Sequence, residues 1–130
     1  MKKILITLLF FVFTHNYSQG PLISSDYNEQ KKWVDSVYSS LTIDEKIGQL
    51  FTVWVATKYG SDEINHISNL IKEHHLGGLI FSLGNIKDQG KAINHFQKIS
   101  KVPLLISMDA EWGVGMRLDD AFSFPYNMTL

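Results

Sequence analysis

The sequence predicts an α/β fold built on a parallel sheet, and three observations carry that prediction. Its strand-like runs, Phe51–Ala56, Leu79–Phe81 and Pro103–Met108, are predominantly apolar rather than alternating, as in strands covered on both faces. Between them lie segments whose apolar residues recur every three or four positions, the spacing of one helical face. The distance from one strand to the next is close to the roughly thirty residues of a strand–helix–strand unit.

The first residues read as a targeting segment. Lys2 and Lys3 precede an apolar run from Ile4 to Phe13 interrupted only by Thr7, and the polar stretch Thr14–Gln19 follows. That is the order of charge, apolar core and polar end in a secretory signal peptide, spanning residues 1–18 with cleavage between Ser18 and Gln19. The run is too short for a membrane anchor, which needs about 20 apolar residues. Loss of Lys2 and Lys3 takes the formal charge from −1 to −3. The expected location is therefore secreted or periplasmic, with no stable membrane anchor. Residues 19–32 form a leader, loop-like from Gln19 to Asn28 because Gly20, Pro21, Ser24, Ser25 and Asp26 favour turns.

The domain proper is expected to run from Trp33 to Leu130. Trp33, Val34, Val37, Tyr38 and Leu41 share one face of a helix over 29–41. Thr42-Ile43-Asp44-Glu45 has the capping-box spacing, so a second, short helix starts at Ile43. Phe51–Ala56 is the first strand. Ile64, Ile67, Leu70 and Ile71 line a helix over 62–75, with Asp62 as its N-cap and Gly77-Gly78 supplying the left-handed residue at its end. Leu79–Phe81 is the second strand, and Ala92, Ile93, Phe96 and Ile99 mark a helix ending at Ser100. Pro103 then opens a third, buried strand that stops at charge: Asp109, Glu111 and Arg117, with Gly113 and Gly115 between them. In parallel α/β proteins ligands bind at the carboxyl ends of strands, so these three charged residues are the candidate site.

Composition narrows the chemistry. A hydrophobic content of 45% is enough apolar material for a packed core. A net charge of −1 and a pI near 6.5 give no electrostatic footprint for nucleic acid. The 130 residues contain no cysteine, so disulfides, thiolate metal sites and a cysteine nucleophile are ruled out for them. His66, His74, His75 and His95 sit in helical segments or at their ends without a convergent pair four residues apart, and read as solvated or capping residues rather than metal ligands. Gly113 and Gly115 lack the third glycine of a dinucleotide loop, and no Gly-x-Ser-x-Gly elbow occurs. Asp109 and Glu111 are too close in sequence to face opposite sides of a glycosidic bond, although that reaction uses two carboxyls. Hydroxyl recognition suits them better, with the fork of Arg117 orienting Asp109 or binding an amide or carboxylate oxygen.

The thirty-residue period fits both a (β/α)₈ barrel and an open doubly wound sheet. A resemblance separates them. Leu41-Thr42-Ile43-Asp44-Glu45-Lys46-Ile47-Gly48-Gln49-Leu50-Phe51, Gly77-Gly78-Leu79-Ile80-Phe81, Pro103 to Gly113, Met116-Arg117-Leu118 and Phe124-Pro125 together resemble the N-terminal part of glycoside hydrolase family 3. The likeness is greatest to its β-N-acetylhexosaminidase branch, and the family pattern usually has a second glycine where Trp112 stands. The resemblance implies the first three strands of a (β/α)₈ TIM-type barrel, incomplete in this chain because a full barrel needs about 250 residues. It also implies a retaining hydrolase of terminal β-linked N-acetylhexosamine, peptidoglycan fragments among its carbohydrate substrates, working with no metal and no other cofactor. Asp109 and Arg117 match the family's sugar-binding aspartate and arginine, and Glu111 is grouped with them. The catalytic aspartate and the histidine acid/base would lie beyond Leu130. The rival reading is an exported carbohydrate-binding or interaction protein that uses the same loop without chemistry.

Overall fold

The computed structural model describes residues 26–125. Their order is α1 (Tyr27–Ser40), α2 (Ile43–Gly48), β1 (Thr52–Val55), α3 (Gly60–His74), β2 (Gly78–Phe81), α4 (Ile86–Ile99) and β3 (Leu105–Met108), with one-turn 3₁₀ segments at Thr57–Tyr59 and Val114–Met116. The strands form one parallel sheet in the order β1-β2-β3, and Val53, Leu79 and Ile106 stand in register across it. The expected α/β class and three parallel strands are therefore present. The signal-peptide segment and the first half of the leader, residues 19–25, lie outside the described residues.

The core sits where α3 and α4 cover the sheet. Val55, Leu79 and Phe81 from the strands meet Ile67 and Ile71 of α3 and Ala92 and Phe96 of α4. The Phe81 and Phe96 rings lie 6.4 Å apart in a tilted arrangement. Burying each such side chain contributes about 1.5–3 kcal/mol, so these few residues dominate the stability of the unit.

Local signals set several boundaries. The capping box forms as expected: Thr42 Oγ1 accepts from Glu45 N at 3.3 Å, and Glu45 Oε2 accepts from Thr42 N at 2.8 Å. Asn85 caps α4, its side chain accepting from Asp88 N at 2.8 Å. Helix α1 begins at Tyr27, inside the expected leader, because Asp26 accepts from Glu29 N at 3.1 Å and starts the helix early. Its apolar stripe remains largely open, with Trp33 58% exposed.

Three other expectations are corrected. Asp62 is not the N-cap of α3. Gly60, at φ +74°, turns the chain into the helix two residues earlier, and Asp62 falls in the first turn, where its charge complements the helix dipole. Gly77 and Gly78 do not end that helix either: His75 takes the left-handed position at φ 51° and its N–H donates to Ile71 O. The two glycines serve close packing. A Cβ at Gly77 would overlap Gln49 O, and one at Gly78 would lie 2.9 Å from Thr52 Oγ1 and 3.0 Å from Leu105 O. Finally, β3 is not buried. Leu105 is 79% exposed, because β3 pairs only with β2 among the described residues and its other edge is open.

Candidate functional site

All three strands point their carboxyl ends at the same set of loops. Asp109 follows Met108 directly, so its backbone is fixed by the last pair of the β2–β3 ladder, Phe81 with Met108. The chain then turns: Gly113 N donates to Ala110 O at 2.9 Å, and Gly113 adopts φ +92°, which a side chain would strain. The 3₁₀ turn over Val114–Met116 brings Arg117 back to the strand end.

There Arg117 holds Asp109 at two points. Its Nη2 donates to Asp109 Oδ2 at 2.7 Å, and its Nε donates to the Asp109 main-chain oxygen, also at 2.7 Å. The arginine side chain is 25% exposed and the aspartate 53%, so the pair is anchored below and open above. Asp109 Oδ1 and Arg117 Nη1 have no hydrogen-bond partner among the described residues. A rigid carboxylate with one free oxygen beside a cation with free donors can bind a neutral polyol, accepting from hydroxyls and donating to a carbonyl.

Glu111 is brought near this pair in sequence but not into it. It is exposed, at a turn, and forms no hydrogen bond or ion pair with any described residue. Arg117 engages Asp109 and leaves Glu111 alone.

Sequence reasoning missed the residues that hold this loop in place. Gly84 N donates to Arg117 O at 3.2 Å and Asp119 N donates to Gly84 O at 2.9 Å, a parallel bridge that continues the sheet beyond β2. Asp120 Oδ1 accepts from Ile86 N at 2.8 Å, tying the same loop to the start of α4. A glycine three residues beyond an apolar strand and a pair of aspartates are visible in the sequence, but their pairing is not.

The histidines lie elsewhere. His95 Nε2 is 3.0 Å from Ser68 Oγ between α4 and α3; because that hydroxyl donates to Ile64 O, the ring nitrogen supplies the proton in this contact. His75 Nε2 lies 3.5 Å from Glu45 Oε1. No group of three metal-ligating side chains is assembled among the described residues. A cavity of about 420 Å³ lined by Ile47, Phe51, Val53, Leu70, His74 and Leu76 opens at the amino ends of the strands, away from Asp109. Beside the Asp109 loop a smaller one, about 260 Å³, is lined by Trp112, Gly115, Met116, Ser123 and Phe124.

Comparison with known proteins bears on the family and the fold. Residues 42–130 match the family described as Glycosyl hydrolase family 3 N terminal domain. The chain is 31% identical over 98 residues to a Beta-N-acetylglucosaminidase/beta-glucosidase of Cellulomonas fimi, a match covering 75% of this chain and 17% of that protein. It resembles the solved structure of Beta-glucoside phosphorylase BglX bound to 2FGlc, with 28% identity, a TM-score of 0.53 and coverage of 64% of this chain and 16% of that one. A second BglX structure matches at 29% identity and a TM-score of 0.47, over 61% of this chain and 12% of the other. The chain thus spans 17% of the curated relative's length. With the parallel sheet, the strand-end loop and a family match over residues 42–130, the chain belongs to glycosyl hydrolase family 3, through its N-terminal domain.

Proposed function

We propose that the native protein is a retaining β-glycosidase acting on terminal β-linked N-acetylhexosamine, with peptidoglycan fragments among its substrates, and that Asp109 and Arg117 form part of its sugar-binding subsite. The observation that carries this reading is Asp109 at the end of β3, held by Arg117 through its carboxylate Oδ2 and its main-chain oxygen, with Oδ1 left open. Sugar hydroxyls donate to Asp109, while the second arm of the Arg117 fork is available to an acetamido carbonyl. Each charge-assisted bond of this kind contributes about 1.5–3 kcal/mol. The N-acetylglucosaminidase half of the Cellulomonas fimi relative's name supports the hexosamine; its glucosidase half and the BglX phosphorylase define the alternatives to be tested. The carboxylate that attacks C1 and the acid/base that protonates the leaving group come, on this proposal, from parts of the native protein other than these residues. Glu111, exposed at the rim, is assigned to contact a neighbouring sugar hydroxyl. The Lys2–Phe13 pattern supports a secreted or periplasmic location.

The test compares chromogenic β-N-acetylglucosaminide and β-glucoside as substrates of the native protein, each with and without inorganic phosphate. Faster turnover of the N-acetylglucosaminide, independent of phosphate, is expected. Preference for the glucoside would overturn the hexosamine assignment, and a requirement for phosphate would overturn hydrolysis. Binding of the sugar without any turnover would favour the non-catalytic rival.

A further inference from the structure

The loops after β1, β2 and β3 meet at one residue that carries no side chain. Gly84 is buried, and its N–H and C=O bridge to Arg117 O and Asp119 N on the side of β3. On the side of β1, Leu83 O accepts from Lys58 N at 3.2 Å, and Ser82 N donates to Val55 O at 2.8 Å. A Cβ built on Gly84 would overlap Thr57 Oγ1 and lie 3.3 Å from Thr57 Cβ. Rotating Thr57 moves its hydroxyl but not its Cβ, so the crowding is reduced and not removed. The peptide that carries Arg117 is therefore separated from the β1 loop by the thickness of a bare backbone.

From this we infer that Gly84 is a positioning residue for the sugar site: the absence of a side chain there sets the height of Arg117 above the sheet, and Arg117 in turn sets Asp109. The inference rests on the reading of Asp109 and Arg117 as sugar-binding residues. Added bulk at 84 pushes the bridge apart, and the guanidinium can no longer reach both the Asp109 carboxylate and the Asp109 main-chain oxygen. A displacement on the order of 1 Å in such an element can cost on the order of a hundredfold in rate. Asp120 holds the other end of the same loop through Ile86 N.

The experiment measures KM, kcat and the inhibition constant of N-acetylglucosamine for variants of the native protein, at a temperature where each is fully folded. Gly84→Ala is expected to raise KM and the inhibition constant about tenfold, and Gly84→Val further. Adding Thr57→Ala to Gly84→Ala should bring both constants back to within about threefold of the parent, because it removes the overlapping oxygen. Gly77→Ala is the control for mere destabilisation, since its Cβ would overlap Gln49 O at the opposite end of the strands. It should lower the melting temperature without moving either constant. Should the Gly84 variants fail to fold, Asp120→Ala at an exposed position carries the same measurement, with a rise in the inhibition constant expected. An unchanged inhibition constant in the Gly84 variants, or in Asp120→Ala if those do not fold, beside a raised one in Asp109→Ala, overturns the positioning role and leaves the sugar site standing. An unchanged constant in Asp109→Ala itself overturns the sugar site, and the positioning inference with it.

Discussion

Arg117 holds Asp109 from two directions, through the carboxylate Oδ2 and through the main-chain oxygen, each at 2.7 Å. The second contact distinguishes this pair from a surface ion pair, because it fixes the backbone at the strand end as well as the charge. A single-point cation cannot reproduce it. Lysine at 117 would keep the charge but lose the planar fork that spans both oxygens. Arg117→Lys is expected to lower kcat/KM on a β-N-acetylglucosaminide by roughly ten- to a hundredfold, mainly through KM, since each 1.4 kcal/mol is a factor of ten. Parent-like kinetics in this variant would mean that the fork is not used.

Asp109→Ala removes the gripping carboxylate altogether and is expected to cost roughly two to four powers of ten in kcat/KM. Azide separates gripping from attack. A residue that only binds hydroxyls leaves the anomeric face unchanged when it is truncated, so azide should restore nothing. Appearance of a glycosyl azide product from Asp109→Ala would reassign this residue as the nucleophile.

Phe96 is fully buried and packs on Phe81 between α4 and the sheet. Phe96→Ala should destabilise the native protein by about 3–5 kcal/mol, the usual cost of an aromatic-to-alanine change in a core. Chemical denaturation read by tryptophan fluorescence checks this; a loss under about 1 kcal/mol would show that the site collapses around the missing ring.

What the sequence revealed of this molecule depended on how local each signal was. The Thr42–Glu45 box and the apolar stripes of α3 and α4 are written within four residues of chain, and they were legible. The place of Asp109 directly after a strand was legible as well, because an apolar run that ends in charge marks where the strand stops. Gly77 and Gly78 were misread, since a glycine after a helix looks like a cap whether or not it is one; Gln49, Thr52 and Leu105, remote in sequence, decide that they are packing glycines. Gly84 reads in the sequence only as part of the loop 82–85 after the second strand, for the same reason, its neighbours Thr57 and Arg117 lying 27 and 33 positions away. The exposure of Leu105 was also hidden, because an apolar run states what a strand should meet and not what lies beside it.

Export is the expectation raised by Lys2, Lys3 and the Ile4–Phe13 run. N-terminal sequencing of material recovered from the secreted or periplasmic fraction should begin at or near Gln19. Finding Met1 intact in the soluble cytoplasmic fraction would defeat the assignment.

The last prediction concerns acid. Glu45 lies under three groups at the amino ends of the strands: Lys101 Nζ donates to its Oε1 at 2.7 Å, Thr42 N to its Oε2 at 2.8 Å, and His75 Nε2 stands 3.5 Å from Oε1. The Lys101 hydrogen bond first, and the Thr42 backbone bond second, hold its pKa at about 2, against an ordinary value of 4.5. The sign follows from linkage. The folded state keeps the carboxylate charged where the unfolded chain takes up a proton, so Glu45 stabilises the fold fully above about pH 4.5. That contribution is lost progressively as pH falls from 4.5 towards 2, and none remains once both states are protonated. Glu45→Gln can still accept from Thr42 N but carries no charge for Lys101. Its melting temperature should therefore lie below the parent's at pH 7 and converge on it as pH falls through this window. A difference in melting temperature that stays constant from pH 7 to pH 2 would show that the change acts through packing or capping rather than through the charge of Glu45.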